Sequence, residues 1–320
     1  MVELRSIRKR EELLADVAED YYIKGQDQSE IARRVGVTRS MISRMLKEAR
    51  DKGIVDIRIH RSVNAEPELE AALVKRFGLI AASVISIAKD QESNLLSSLG
   101  NAGALLLKQF LEPGTILGMS WGTSISATVD AFESENVIAI KIVQLVGALG
   151  SQNAAYDGHD LVLRMANKTG GEPHYLNAPF FCQDNGMARS LKELPGIQES
   201  VDLGKKTNVA LLGIGSTQPK YSSFYLAGQV PIEDLDILRE SGAIGDVCGI
   251  HFDVNGKSEY DEFTNRLVGI QKEEFFQIPY RIAVAGGAGK IMPVLGALRG
   301  GFINLLVTDS LVAPKVLELS

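Results

Sequence analysis

The chain has 320 residues, 45% of them hydrophobic, and a formal net charge of −6. That length and apolar content provide a large core plus room for a small domain of about 60 residues, and they exclude a disordered chain. The negative balance excludes attraction to a polyanion by whole-molecule charge, so contact with nucleic acid requires a local basic strip.

The first element is an amphipathic helix over Arg5 to Lys24, with Leu13, Leu14, Val17, Ala18, Tyr21 and Tyr22 on one side. It reads as packing support; the Tyr22 hydroxyl can reach a phosphate, but an aromatic at this spacing belongs to a core. Next comes DQSEIARRVGVTRSMISRMLK, Asp27 to Lys47. Asp27 caps a short helix together with Glu30, turning Ile31 and Ala32 inward, and Gly36 ends it. Thr38 caps a second helix whose Ile42, Met45 and Leu46 recur at helical spacing. A small residue at 32, a glycine at 36 and an apolar plug at 42 suit two short helices in close contact, the helix-turn-helix arrangement.

The outward residues of the second helix, Arg39, Ser40, Ser43, Arg44 and Lys47, are of the types that bond base edges and phosphates in a major groove. Base readout is expected from Arg39, Ser40, Ser43 and Arg44; Ser29, Thr38 and Lys47 complete the expected DNA-binding set. From Arg33 to Arg61 there are nine Lys or Arg against three acids, Glu48, Asp51 and Asp56. A basic run alone is usually a solvated helix face, and the glycine turn and apolar plug reverse that preference. The alternating IVDIRIH after Gly53 suggests a strand closing the domain as a wing.

The expected layout is a helix-turn-helix domain at residues 1–60, a linker helix within 61–80 and an effector domain at 81–320. The linker is EPELEAALVKRF, with Leu69, Leu73 and Phe77 on one side. Strand-like apolar runs then alternate with helical stretches at Ala82 to Ala88, Thr115 to Met119, Val137 to Val146, Asn208 to Ile214, Asp246 to Phe252, Arg281 to Ala285 and Phe302 to Thr308. This is the α/β pattern of a doubly wound, mostly parallel sheet, which binds ligands outside the carboxyl ends of its strands.

Three strand ends carry informative loops. In GMSWGTS, Ser120, Gly122, Thr123 and Ser124 combine hydroxyls, a glycine and a helix start, which suit an anion. In VAGGAGKIM, Gly287 lies in a glycine turn and Lys290 in the first turn of a helix, where a cation opposes the dipole unless an anion is near. In GAIGDVCGIHFD, Asp246 can accept bonds from sugar hydroxyls. Neither a Walker loop nor a dinucleotide fingerprint is present: Val284 and Ile291 stand where the opening glycine and the metal-binding hydroxyl belong, and Gln218 replaces the third glycine after Gly213 and Gly215. Cys182 and Cys248 form no disulfide framework. His60, His159, His174 and His251 lack metal-ligand spacing, so neither metal nor cofactor is expected. The N-terminus has no signal-like or membrane-spanning apolar stretch, and the cytoplasm is the expected compartment.

YYIKGQDQSEIARRVGVTRSMISRMLKEARDKGIVDI, GMSWGTS, QLVGALG, AIGDVCGIHFD and VAGGAGKIMPVLGALRGG together make the chain similar to the SorC family of bacterial sugar-responsive transcription regulators, over nearly its full length. The resemblance implies an effector domain related to phosphosugar isomerases and deaminases. It also implies a phosphorylated sugar as effector, double-stranded operator DNA as partner, and assembly into a homodimer or homotetramer. It places the family's phosphate-site lysine on Lys290 and its strand-end loop on Ser120, Gly122, Thr123 and Ser124. Asp246 falls on the acid that meets the sugar, and Gln144 is a further contact. Some members carry an imine-forming lysine where this chain has Val146, so no covalent adduct is expected. The family also implies repression relieved by ligand. The rival reading, an isomerase or deaminase with a DNA-binding appendage, needs a positioned base, and the loop Gly147 to Asn153 contains neither carboxylate nor histidine. An architectural DNA binder would not need so large an α/β domain.

Overall fold

The computed structural model describes residues 2–55, 65–87, 94–150 and 156–320. They form two compact units, Met1–Arg61 and Ser62–Ser320.

In the first unit, three helices run over Val2–Tyr22 (α1), Gln28–Val35 (α2) and Arg39–Asp51 (α3). The Asp27 carboxylate accepts the Ser29 and Glu30 amides at 2.7 and 2.9 Å, and Glu30 accepts the Asp27 amide at 3.1 Å, so the capping box is complete. α2 stops at Gly36, whose φ of 77° lies in the left-handed region that strains any other residue. The Thr38 hydroxyl accepts the Met41 amide at 3.3 Å and starts α3. Leu14, Val17 and Ala18 of α1, Ile31 and Ala32 of α2, and Ile42, Met45, Leu46 and Ala49 of α3 share one buried core. Tyr22 departs from the sequence expectation: it is 38% exposed, outside the buried core at the end of the helix, with its ring in a T-shaped contact with Tyr21. Ile54 and Val55 pack against this core, while the rest of the expected wing, residues 56–60, lies outside the described residues.

In the second unit, seven parallel strands form one sheet: β1 (Ala81–Ile85), β2 (Ile116–Met119), β3 (Lys141–Gln144), β4 (Glu172–His174), β5 (Val209–Leu212), β8 (Tyr280–Val284) and β9 (Leu305–Asp309). Their order is β1-β9-β8-β5-β2-β3-β4. β5 and β9 are buried at every residue, which is why they read as unbroken apolar runs rather than alternating ones. β4 escapes sequence reading because it is three residues long, polar and interrupted by Pro173; a proline is tolerated there because β4 is an edge strand.

The run Asp246 to Phe252 is not a strand of this sheet, contrary to the sequence expectation. It is an antiparallel hairpin of β6 (Gly245–Val247) and β7 (Ile250–Phe252). Cys248 and Gly249 take φ of 53° and 77°, and two successive left-handed residues fold a chain back on itself. The helix read as a linker, α4 (Pro67–Phe77), lies inside the second unit: Leu73 is buried, Leu69, Val74 and Phe77 pack on the same core, and Glu70 accepts the Val84 amide at 2.9 Å. Among the described residues no helix is long and apolar enough to cross a membrane.

From β2 the chain winds to β3 and β4 on one side, then returns to β5 and winds to β8 and β9 on the other. The winding reverses between β2 and β5, and the crevice at their carboxyl ends is where such sheets bind ligands.

Ile42→Ala is expected to cost about 2–5 kcal/mol, a large share of what a unit of about 60 residues possesses. Chemical denaturation followed by helical circular dichroism checks it, with an unchanged midpoint counting against the packing described.

Candidate functional site

A cavity of about 590 Å³, including its open mouth, sits at that reversal point. β2 delivers Ser120, whose amide donates to the Leu211 carbonyl at 3.2 Å and whose hydroxyl accepts the Gly213 amide at 3.3 Å, tying the β2 and β5 loops together. Gly122 follows, and α6 (Thr123–Ala131), which packs against α5 (Leu95–Lys108), begins with no side-chain cap. Its first-turn residues Thr123 and Ser124 line the cavity, offering hydroxyls and helix-end amides to an anion.

β8 delivers the lysine. Gly287 donates its amide to Asp309, a buried carboxylate at the end of β9 whose other oxygen accepts the Leu311 and Val312 amides at 2.8 and 2.9 Å. A 3-10 turn over Ala288–Lys290 then leads into the helix Ile291–Arg299. Lys290 Nζ donates to the Ile214 carbonyl at 2.6 Å. Burial lowers the pKa of this amine, and the nearby Asp246 charge raises it.

The hairpin delivers Asp246, which is buried and accepts the Gly249 amide at 3.0 Å. Burial pushes its carboxyl up to about 6, against the Gly249 bond and the Lys290 charge, which both favour ionisation. A Cβ on Gly215 would fall 1.7 Å from Asp246 Oδ1, so only a glycine lets the β5 loop lie against the carboxylate. Across the hairpin, His251 is buried with Nδ1 2.9 Å from the Gly249 carbonyl, and burial pushes its pKa down to about 4, so it is neutral.

One wall is aromatic. Trp121 meets Phe180 and Phe224 edge-on at 5.5 and 5.3 Å between ring centroids, and its indole N–H is buried without a hydrogen-bond partner among the described residues. Val146 also lines the cavity.

The structure therefore brings Ser120, Gly122, Thr123, Ser124, Asp246 and Lys290 around one cavity. Gln144 and Gly287 do not join them. The Gln144 amide donates to the Val146 carbonyl at 2.8 Å and accepts the Leu176 amide at 3.3 Å, so both of its ends brace the β3 terminus. Sequence reasoning missed Trp121 and Cys248, although both stand inside segments singled out, and Phe180 and Phe224, which come from a loop and a four-residue helix too short to show periodicity. It also missed Asp157, which holds the Leu149 and Gly150 amides at 3.0 Å each; residues 151–153 of that loop lie outside the described residues. Among the described residues no cluster of three or more His, Cys, Asp or Glu is placed to hold a metal ion.

In the first unit, Ser29, Thr38, Arg39, Ser40, Ser43, Arg44 and Lys47 are all exposed. The five on α3 lie opposite its buried Ile42, Met45, Leu46 and Ala49. The Thr38 hydroxyl is also 3.0 Å from that of Ser40. Arg34 pairs with the buried Asp20, and Arg10 and Lys52 pair with Glu48 at 2.8 and 3.3 Å. Arg39, Arg44 and Lys47 have no ion-pair partner among the described residues and leave their charge to solvent.

Residues 61–318 match the Sugar-bind family, a sugar-binding domain. Over 320 aligned residues the chain is 32% identical to the sorbitol operon regulator of Klebsiella pneumoniae, covering 96% of this chain and 98% of that one. The chain belongs to the SorC family. The deoxyribonucleoside regulator of Bacillus subtilis (strain 168) is 26% identical over 302 residues, covering 94% of this chain and 96% of the relative. The crystal structure of the full-length sorbitol operon regulator SorC from Klebsiella pneumoniae matches with a TM-score of 0.72 at 30% identity, over 96% of this chain and 99% of that chain. This SorC-family member is a transcription regulator built of a helix-turn-helix unit and a sugar-binding domain.

Asp246 ionises near 3.8 in an unfolded chain and near 6 in the fold, so between those values the folded state holds a proton that the unfolded state has lost. Stability from this group falls as pH rises through that window, and the full penalty stands above it. Asp246→Asn is therefore expected to stabilise the ligand-free protein by about 1–3 kcal/mol at about pH 7.5, with the gain shrinking as pH falls through about 6. Paired thermal melts of the two proteins across pH check it, and destabilisation at neutral pH would contradict it.

Proposed function

We propose that this SorC-family protein is a cytoplasmic repressor of carbohydrate-metabolism genes whose affinity for double-stranded operator DNA is set by a phosphorylated sugar. The observation that carries this reading is the convergence, at the sheet's reversal point, of a helix N-terminus, the hydroxyls of Ser120, Thr123 and Ser124, the Lys290 amine and the Asp246 carboxylate. The helix end and Lys290 suit a phosphate, and the carboxylate suits sugar hydroxyls. The printed names of the relatives, regulators of a sorbitol operon and of deoxyribonucleosides, point to the same ligand class. Val146 stands where an imine-forming lysine would be needed, so the effector is held without a covalent bond.

On the DNA side, Arg39, Ser40, Ser43 and Arg44 read base edges, while Ser29, Thr38 and Lys47 contact the backbone. The protein acts as a homodimer or homotetramer. Effector binding draws Lys290 and the Ser120 loop together, and the change passes through the Glu66 to Phe77 segment to alter the spacing of the recognition helices relative to operator half-sites. Because such coupling is reciprocal, operator DNA alters effector affinity by the same factor. The domain binds without turnover: among the described residues lining the cavity Asp246 has no second carboxylate or histidine beside it to share the proton transfers of an isomerase or deaminase. Incubation with pentose and hexose phosphates is expected to give no interconversion, and turnover would establish the enzyme reading instead.

Lys290→Ala is expected to abolish the response to effector while operator binding persists; gel-shift titrations with and without sugar phosphates check it, and a normal response would refute the site. Arg44→Ala is expected to weaken operator binding by about 1–3 kcal/mol, as the loss of a base contact does, and to leave the salt slope nearly unchanged. Fluorescence anisotropy at several salt concentrations measures both, and wild-type affinity would mean that α3 does not enter the groove.

A further inference from the structure

We infer that Asp246 selects for effectors with a single anionic group: the cavity takes a monophosphorylated sugar or polyol whose remaining groups are neutral, and turns away bisphosphates and phosphorylated sugar acids. This rests on the reading that the cavity binds a sugar phosphate, and it follows from how the charges around it are disposed.

Among the described residues lining the cavity, Lys290 is the only cation and Asp246 the only acid. A first phosphate is met by the start of α6, where amides and hydroxyls gather, and by the Lys290 amine. Among those residues a second anion finds no further cation. It meets instead a carboxylate that cannot swing aside: Gly249 holds one oxygen at 3.0 Å, the bare Gly215 backbone packs against the other, and the residue is locked in register opposite His251.

The other groups facing Asp246 offer no relief. His251 is neutral because burial lowers its pKa to about 4, and the Cys248 thiol is held protonated by burial. Lys290 is already bonded to the Ile214 carbonyl and is partly balanced by Asp246 itself. The remaining wall, Trp121, Phe180 and Phe224, suits the apolar face of a sugar and supplies no cation. Against a carboxylate as buried as Asp246, a like charge lowers affinity more than it would at the surface.

Trp121 is the chain's single tryptophan and lines the cavity, so its fluorescence reports occupancy directly. Two matched pairs serve as probes: glucitol 6-phosphate against gluconate 6-phosphate, and fructose 6-phosphate against fructose 1,6-bisphosphate. For the wild-type full chain, the monoanionic-group member of each pair is expected to bind more tightly by roughly tenfold or more. Asp246→Asn, and independently Asp246→Ser, should shrink each ratio by about tenfold, with thermal melts showing that both variants are folded. Equal affinities within the wild-type pairs, or ratios unchanged in both folded variants, overturn the inference while the sugar-phosphate site stands. No response to any of the four probes at millimolar concentration overturns the site reading itself.

Discussion

The crevice between β2 and β5 is the constraint on which the rest of the second unit depends. All seven strands are parallel, so their carboxyl ends lie on one side of the sheet, and the reversal of winding parts the connections there. Each neighbouring strand then contributes one piece of chemistry: the uncapped start of α6 after β2, a bare glycine backbone after β5, and a lysine after β8. The β6–β7 hairpin closes the set with a carboxylate. Much of the polar interior elsewhere serves as bracing. Asp309 fixes the glycine turn before Lys290, Asp157 fixes the Leu149–Gly150 backbone, and Gln144 fixes the end of β3.

Holding Asp246 and Lys290 in a buried pocket works against stability, because each charged form loses hydration that the other returns only in part. The upward displacement of the Asp246 carboxyl and the downward displacement of the Lys290 amine are two signs of the same cost. The Trp121 indole, a buried donor without an acceptor among the described residues, is a third. Polar groups arranged at the expense of the empty fold are what a site arranged for a guest looks like. α3 follows the opposite logic. Arg39, Arg44 and Lys47 stay hydrated and cost the fold little, and their use as DNA contacts would be governed by screening and counterion release.

Local features were legible in the chain. The capping box at Asp27 and Glu30, the stop at Gly36, the cap at Thr38 and the inward set of α3 all depend on residues within one or two helical turns of each other, and the spacing of side chains along a helix announces them. The apolar runs announced six of the seven sheet strands for a similar reason: strands buried on both faces need little but hydrophobic residues. β4 was not legible, being short and at an edge. The hairpin was misread because an apolar run of that length is shared by strands and tight antiparallel turns, and only the left-handed Cys248 decides between them.

By itself, then, the sequence determined the helix-turn-helix, the alternating α/β layout and the residue types at three strand ends, since each is set by neighbours along the chain. The tertiary structure alone decided that Asp246 is buried beside Lys290, that Gln144 and Gly287 stand aside, and that Trp121, Phe180 and Phe224 form the wall. Those relations join loops separated by tens to more than a hundred residues, and the solvent exclusion that displaces the carboxyl and the amine exists only after the sheet has brought its strand ends together.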